Sequence, residues 1–289
     1  KKKLTSIHPL IKFTMAASTF FQGKTVIVTG SSNGIGRETA RMFAERGAKI
    51  TITGRNTETL KITKDLCLEA GAKEENILEI IADFESEDTP KRLIDETVKA
   101  FGGIDVLVNN AGMALTDPQG RRHMDAPVEL FDRTMNVNIR SILVLTNLAA
   151  PHLEKTRGAV VNVSSIAALP FGQMEFYYAI SKSALDQLTV QTASRLIHKG
   201  IRVNSVNPGL VQTDIVRKMG VPAEMEQALF SLGQNKAFIP LGRVGEPADI
   251  GKLIIFLADR SQSEFIVGQR IVIDGGSVLK NNLLSFGDQ

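Results

Sequence analysis

The sequence predicts an α/β fold, a single-domain doubly wound parallel sheet with helices on both faces. Three observations predict it. Short apolar runs rich in β-branched residues alternate with longer segments of helical periodicity along most of the chain. The runs are apolar at successive positions, as strands covered on both faces require. No linker, low-complexity tract or internal repeat divides the 289 residues, a length that one α/β domain can fill.

The elements follow in order. "KTVIVTG" (24–30) is the first buried strand, and "GIGRETARMFAERG" (34–47) a helix with Ile35, Ala40, Phe43 and Ala44 apolar and Gly47 as its stop. "KITIT" is a second strand, with a helix over 57–70. "ILEIIAD" is a third, with a helix after Pro90, and "IDVLVNN" a fourth. A long helix is expected over 127–153, then a fifth strand, "GAVVNVSS". A helix carrying "FYYAISK" (176–182) comes next, then "IRVNSVNPG", a variable stretch, a helix after Pro247 and a last strand, "QRIVIDGG". The domain is expected over 21–278, with a disordered extension at 1–20 and a tail at 279–289.

Composition narrows the function classes. Hydrophobic content of 43 % with 22 % charged residues is that of a globular protein with a sizeable core. The net charge is +3, from 34 basic and 31 acidic residues interspersed along the chain, and no basic stripe points to nucleic acid. Cys67 is the sole cysteine, which excludes an internal disulfide and fits a reducing compartment such as the cytoplasm. His8, His123, His152 and His198 lack metal-ligand spacing, so no metal is expected. No apolar run reaches the ~18 residues of a membrane span. The first 18 residues hold four lysines and no acid, which leaves mitochondrial targeting open, and Met15 is a candidate start.

In a doubly wound sheet, ligands bind beyond the carboxyl ends of the strands. Those ends carry Gly30-Ser31-Ser32, Gly54-Arg55-Asn56, Asp83-Phe84, Asn109-Asn110-Ala111-Gly112, Ser164-Ser165 and Asn207-Pro208-Gly209. Glycines, amides, hydroxyls and a carboxylate converge on one edge, which marks a site. "TGSSNGIG" puts Gly30, Gly34 and Gly36 between the first strand and its helix. Small residues there let the backbone approach a pyrophosphate, and the helix N-terminus offers free N–H groups. "FYYAISK" holds both tyrosines of the chain. On a helix, Tyr178 and Lys182 share a face at i and i+4, while Tyr177 points about 100° away. A nearby cation favours phenolate and lowers a phenol's pKa, which makes a general acid and base. Taken alone, the pattern equally describes an aromatic core residue beside a solvated lysine.

Together, "TGSSNGIG" (29–36), "NNAG" (109–112), "YAISK" (178–182) and "NPG" (207–209) resemble the short-chain dehydrogenase/reductase family. "GRVGEPADIGKLIIFLAD…GQRIVIDGG" is similar to its closing segment, so the resemblance spans roughly 21–278. It implies a Rossmann-type domain that binds a nicotinamide dinucleotide through Gly30, Ser32, Asn33, Gly34, Ile35, Gly36, Asp83, Phe84, Asn109, Ala111, Gly112, Pro208, Gly209, Val211 and Thr213. By the same resemblance Asp83 receives the adenine amino group, Asn109 lies under the adenosine ribose and Thr213 meets the nicotinamide carboxamide. A helix N-cap is the other role open to Asp83. The second strand ends in Gly54-Arg55, where NAD-users place an acid for the ribose 2′-hydroxyl. A small neutral residue and a guanidinium suit a 2′-phosphate, so NADP(H) is the expected cofactor. Asn33 stands where many NADP-users carry a second basic residue.

The resemblance also implies a catalytic set. Tyr178 is the acid/base, Lys182 its partner and a ligand of the nicotinamide ribose. Ser165 orients the substrate, with Ser164 as rival, and Asn138 positions a water behind Lys182, with Asn136 as rival. Tyr177 is assigned to packing or the pocket wall. The implied reaction interconverts a carbonyl and an alcohol on a small molecule. Carbonyl, tropinone and 3-oxoacyl reductases, sugar dehydrogenases and hydroxysteroid dehydrogenases share this framework. Substrate choice is expected in 210–240, where Met219, Val221, Met225, Leu229 and Phe230 are either an apolar pocket or the buried stripe of a helix. Arg121, Arg122 and His123 are either a solvated loop or contacts for an anionic substrate. A homotetramer is implied, pairing through the helices at 127–153 and 177–199 and the final strand. "SILVLTNLAAPHL" agrees, being apolar on more than one face. The competing class is a sensor or scaffold that binds NADP(H) without turnover.

Overall fold

Seven parallel strands form one sheet in the order β3-β2-β1-β4-β5-β6-β7. The computed structural model describes residues 19–170, 175–218 and 222–281. The expected extension up to residue 18, the tail from 282, and Met219 and Val221 lie outside them. The strands are β1 (Thr25–Val28), β2 (Lys49–Gly54), β3 (Ile77–Ile81), β4 (Val106–Asn109), β5 (Ala159–Val163), β6 (Arg202–Pro208) and β7 (Arg270–Ile273). Helices α1 (Gly34–Glu45), α2 (Thr57–Glu69), α3 (Thr89–Phe101), α4 (Val128–Met135), α5 (Ser141–Thr156) and α6 (Phe176–Leu196) connect the first six. The short α7 (Ile215–Lys218), then α8 (Ala223–Leu232), α9 (Pro247–Ala258) and α10 (Arg260–Ser263) lead to β7, and α11 (Ser277–Asn281) follows it. No helix among the described residues is long and apolar enough to cross a membrane.

The two-sided apolar strands have the cover they require. In β1, Val26 and Val28 join a core with Phe43 of α1, Leu60 of α2 and Ile254 of α9. The intervening Ile27 joins a second core on the opposite face, with Leu93 of α3, Leu145 and Leu153 of α5 and Ala193 of α6. Side-chain alternation along each strand thus divides the apolar residues between two layers. The chain leaves β3 at one edge and re-enters at β4, beside β1. Strand order therefore reverses between β1 and β4, and the crevice beyond their carboxyl ends is the topological switch point of the sheet.

One element differs from the expectation. The long helix predicted over 127–153 is α4 and α5 joined by a π-helical segment, Asn136–Arg140, and it extends to Thr156. A π-bulge inserts one residue into the helical ladder and turns the side chains around it. Here it carries Asn138 into the site.

Candidate active site

The crevice between β1 and β4 is lined by Gly30, Ser32, Asn33, Gly34, Ile35, Gly36, Gly54, Arg55, Ala82, Asp83, Phe84, Asn110, Ala111, Gly112, Met113, Val137, Thr213 and Ile215. It is an open crevice whose empty space, open water included, is ≈ 890 Å³. Its floor is laced by the two strand ends. Thr29 Oγ1 accepts from the backbone N–H groups of Asn110 (2.9 Å) and Ala111 (3.0 Å), and Asn110 Nδ2 donates to the carbonyls of Thr29 and Gly30 at 2.9 Å each.

Close backbone approach explains the glycines. Gly30 has φ +62°, and a Cβ there would sit 2.8 Å from Ala111 Cα; a Cβ on Gly36 would sit 2.4 Å from both Gly30 O and Asn110 Nδ2. No side chain caps the N-terminus of α1, so its first-turn amides face the crevice without a protein acceptor. That is the donor set a pyrophosphate requires, and the dinucleotide fits the residues present. Gly54 is equally constrained, because a Cβ would meet Ser32 Cβ at 2.6 Å. Arg55 beside it is exposed at the rim. Asn56 caps α2, its Oδ1 accepting from Thr59 N at 2.9 Å.

Asp83 is exposed in the crevice and its Oδ1 accepts from Glu85 N at 3.1 Å; Asp88, not Asp83, occupies the N-cap position of α3. Asn109 requires a correction. Its side chain is wholly buried and does not line the crevice. It donates to Asn162 Oδ1 at 2.9 Å, its lateral neighbour in the β4–β5 register. The alternation that turns Leu107 to the α5–α6 face turns Asn109 there too, and Asn110 takes the crevice. Pro208, Gly209 and Val211 also stand back from the lining, whereas Thr213 joins it, its Cγ2 2.9 Å from where a Cβ on Gly34 would sit. Asn33 Nδ2 donates to Asp214 Oδ2 at 3.2 Å, a bond between the glycine turn and the segment after β6.

At the inner end of the crevice the four expected catalytic residues come together. A Cβ on Gly112 would lie 3.3 Å from Asn138 Oδ1 and 3.5 Å from Lys182 Nζ, so that glycine is where the crevice meets this cluster. Lys182 Nζ donates to Val163 O at 2.8 Å and lies 5.4 Å from the centre of the Tyr178 ring. Ser165, just beyond β5, acts on the Tyr178 phenol and favours its ionised form, and its Oγ accepts from Ala167 N at 3.1 Å. Its rival Ser164 instead donates to the Lys182 carbonyl at 3.3 Å. Asn138 exchanges two 2.9 Å bonds with the backbone of Met113 and donates to Ser181 Oγ at 2.9 Å. Asn136 turns away, to the Glu85 carbonyl at 3.1 Å.

Desolvation governs both groups in the protein without cofactor. Lys182 does not lower the phenol in the protein alone. Desolvation pushes the phenol of half-buried Tyr178 up to about 12, against the Ser165 side chain that pulls it down. Burial likewise brings Lys182 down to about 8, opposed by the charge of Asp186. Desolvation penalises both charged forms. Tyr177 is buried, donates to Ala126 O at 2.8 Å and packs edge-on against Phe131. It is a packing residue that anchors the loop before α4.

Sequence reading missed Asn110, Met113, Val137 and Ile215 in the lining. Strand alternation was the available signal for Asn110; the others depend on the bulge and on the segment after β6. That segment also lines a second, polar depression with Gln212, Asp214, Arg217, Glu226, Gln227 and Phe230. Of the expected apolar pocket residues, Met225 is exposed, while Leu229 and Phe230 are half-buried. Arg121 is paired with buried Asp117 at 2.6 Å, and Arg122 and His123 are exposed.

Fold and site together define a dinucleotide-binding oxidoreductase. Residues 30–278 match the family model described as Enoyl-(Acyl carrier protein) reductase. A short-chain dehydrogenase/reductase of unknown function from Caenorhabditis elegans, solved with cofactor, is 46 % identical with a TM-score of 0.88, over 90 % of this chain and 97 % of that one. Glucose dehydrogenase of the same organism is 42 % identical with a TM-score of 0.74, over 90 % and 99 % of the two chains. The L-rhamnose 1-dehydrogenase (NAD(P)(+)) of Azotobacter vinelandii is 35 % identical, over 88 % of this chain and 96 % of its own. The chain belongs to the short-chain dehydrogenase/reductase family, whose members are oxidoreductases that use a nicotinamide cofactor.

Proposed function

We propose that the protein is an NADP(H)-dependent oxidoreductase interconverting a carbonyl and a secondary alcohol, with Tyr178 as acid/base. The observation that carries this reading is the juxtaposition at Gly112, which joins a glycine-built crevice to the Lys182–Tyr178–Ser165 cluster. Gly30, Gly34, Gly36 and the open amides of α1 hold the pyrophosphate. Exposed Arg55 meets the 2′-phosphate, and an acid at position 54, which would refuse it, has no room beside Ser32. Lys182 has one described acceptor, Val163 O, and its remaining N–H donors serve the nicotinamide ribose. The nicotinamide, when bound, supplies or accepts the hydride. Tyr178 gives the proton to the developing alkoxide and Ser165 hydrogen-bonds the same oxygen.

Two further readings go with it. Copies assemble as a homotetramer, supported by the apolar residues Leu143, Ile180 and Ile197 left exposed on or beside α5 and α6, and by β7 at the sheet edge. Sedimentation or light scattering at micromolar concentration gives four times the chain mass if so, and a monomeric mass would refute it. The setting is the reducing cytoplasm, consistent with the single buried Cys67. The deciding experiment is turnover of a panel of aldoses, aliphatic ketones and aromatic ketones with NADPH and NADH. Aldoses belong in it because two relatives are sugar dehydrogenases by name. Reduction by NADPH is expected; tight NADPH binding with no turnover of any panel member would favour a binding protein instead.

A further inference from the structure

Behind the four expected catalytic residues lies a buried carboxylate that the proposed reaction does not touch. Asp186, 5 % exposed, stands one helical turn after Lys182 on α6. Both its oxygens accept from Asn207 Nδ2, at 3.1 and 2.8 Å. The same Nδ2 donates to the backbone carbonyl of Ser165 at 3.1 Å. Asn207, wholly buried at the end of β6, is itself held by Ser205 Oγ, which donates to its Oδ1 at 3.0 Å. A carboxylate taken out of water is costly unless its site compensates it, and here the compensation comes from two sides. One is the Asn207 amide. The other is the Lys182 ammonium, at the i,i−4 spacing that brings side chains together on a helix.

We propose that Asp186 is a positioning residue for the reaction: its carboxylate clamps Asn207 onto the Ser165 carbonyl and sets one negative charge a helical turn from the Lys182 ammonium. This rests on the reading of Tyr178, Ser165 and Lys182 given above. One arm fixes the backbone from which Ser165 reaches the phenol. The other keeps Lys182 charged against burial, and the attraction between Asp186 and Lys182 works in that direction. The rest of the surroundings does not duplicate this charge. Tyr178 is the other titratable group at the ammonium, and it is neutral at physiological pH. The turn after β4, the π-helical segment and β5 present Gly112, Asn138 and the Val163 carbonyl, which do not titrate. The cations on packed elements are engaged elsewhere, Arg202 of β6 with Ser263 (3.0 Å) and Arg140 with Glu87 (3.0 Å).

The test reads Lys182 directly. In full-length protein labelled with ¹³Cε-lysine, the Lys182 resonance is assigned by its loss in Lys182→Arg and followed against pH without cofactor. The wild type is expected to titrate near pH 8 and Asp186→Asn roughly one unit lower. An unchanged midpoint in a folded Asp186→Asn protein overturns the charge arm, because a purely structural role would leave it in place. Asp186→Ser, neutral and smaller, is the second variant for the same measurement. Asn207→Ala isolates the other arm: NADPH-dependent turnover is expected to fall tenfold or more with the Lys182 midpoint unmoved. Turnover within twofold of wild type overturns that arm. Because the titration needs no cofactor, its outcome is independent of whether NADPH supports turnover.

Discussion

The two ends of the crevice are built in opposite ways. At β1 and α1 the protein removes side chains, so that Gly30 and Gly36 leave backbone against backbone with no room for a methyl group. At α6 it crowds them: Lys182, Asp186, Ser165, Asn138 and Asn207 are all buried and most are bonded through several atoms. The first end recognises by main-chain amides and is insensitive to side-chain chemistry but intolerant of added volume. The second acts through particular oxygen and nitrogen atoms and is intolerant of losing one. Binding and chemistry are thereby separable, which mutation can exploit.

The largest effect is expected at the chemical end. Tyr178→Phe should lower turnover by about 10²-fold or more while NADPH affinity, measured by fluorescence titration, stays within about twofold. A variant that keeps a tenth of wild-type turnover would break the division. The same phenol sets a pH signature. With Tyr178 as the proposed base, alcohol oxidation draws on its phenolate, and desolvation raises that phenol to about 12, so the oxidative rate should climb as pH rises from 7. The positive charge of bound oxidised cofactor favours phenolate and should bring the apparent midpoint below 10. A flat rate between pH 6 and 9.5 would remove Tyr178 as the base.

At the other end, Gly36→Ala should weaken NADPH binding on the order of tenfold to a hundredfold, since the added carbon would lie 2.4 Å from Gly30 O and the turn must move. The Lys182 midpoint should be untouched. If cofactor affinity survives while the midpoint moves, the two ends are mechanically coupled after all. Arg55→Asp should act more mildly, taking an NADPH-over-NADH preference of about tenfold or more to parity or below. One exposed charge-assisted contact accounts for about 1.4 kcal/mol, and equal affinity of the wild type for both cofactors would dismiss it.

The smallest effect sharpens the contrast between neighbours. Tyr177→Phe should leave turnover within a few-fold, because its hydroxyl serves the Ala126 carbonyl on the far side of the helix. The loss should show instead in thermal unfolding, as about 1 kcal/mol for one hydrogen bond. If this variant were inactive and Tyr178→Phe active, the helical register assigned to the pair would be wrong.

The seven strands, the principal helices, the single domain and the crevice at the carboxyl edge were legible in the sequence. Two-sided apolar runs demand cover on both faces, and a glycine turn after a buried strand has few other uses. Tyr178, Lys182, Ser165 and Asn138 were identified by family motif, and helical spacing already separated Tyr178 from Tyr177. Local periodicity carries that information because it depends on neighbours in sequence. What only the tertiary structure decided depends on neighbours across the chain. The π-segment at Asn136–Arg140 has no signature of its own; it coincides with the bonds that Asn138 makes to Met113 and Ser181, 25 and 43 residues away. Alternation along β4 sets the face that Asn109 takes, but its partner Asn162 comes from the neighbouring strand, which only the folded sheet supplies. The rise of Tyr178 and the fall of Lys182 come from burial, which sequence spacing does not measure. Asp186 clamps Asn207 only because β6 folds against α6 and brings that amide between its carboxylate and the Ser165 carbonyl.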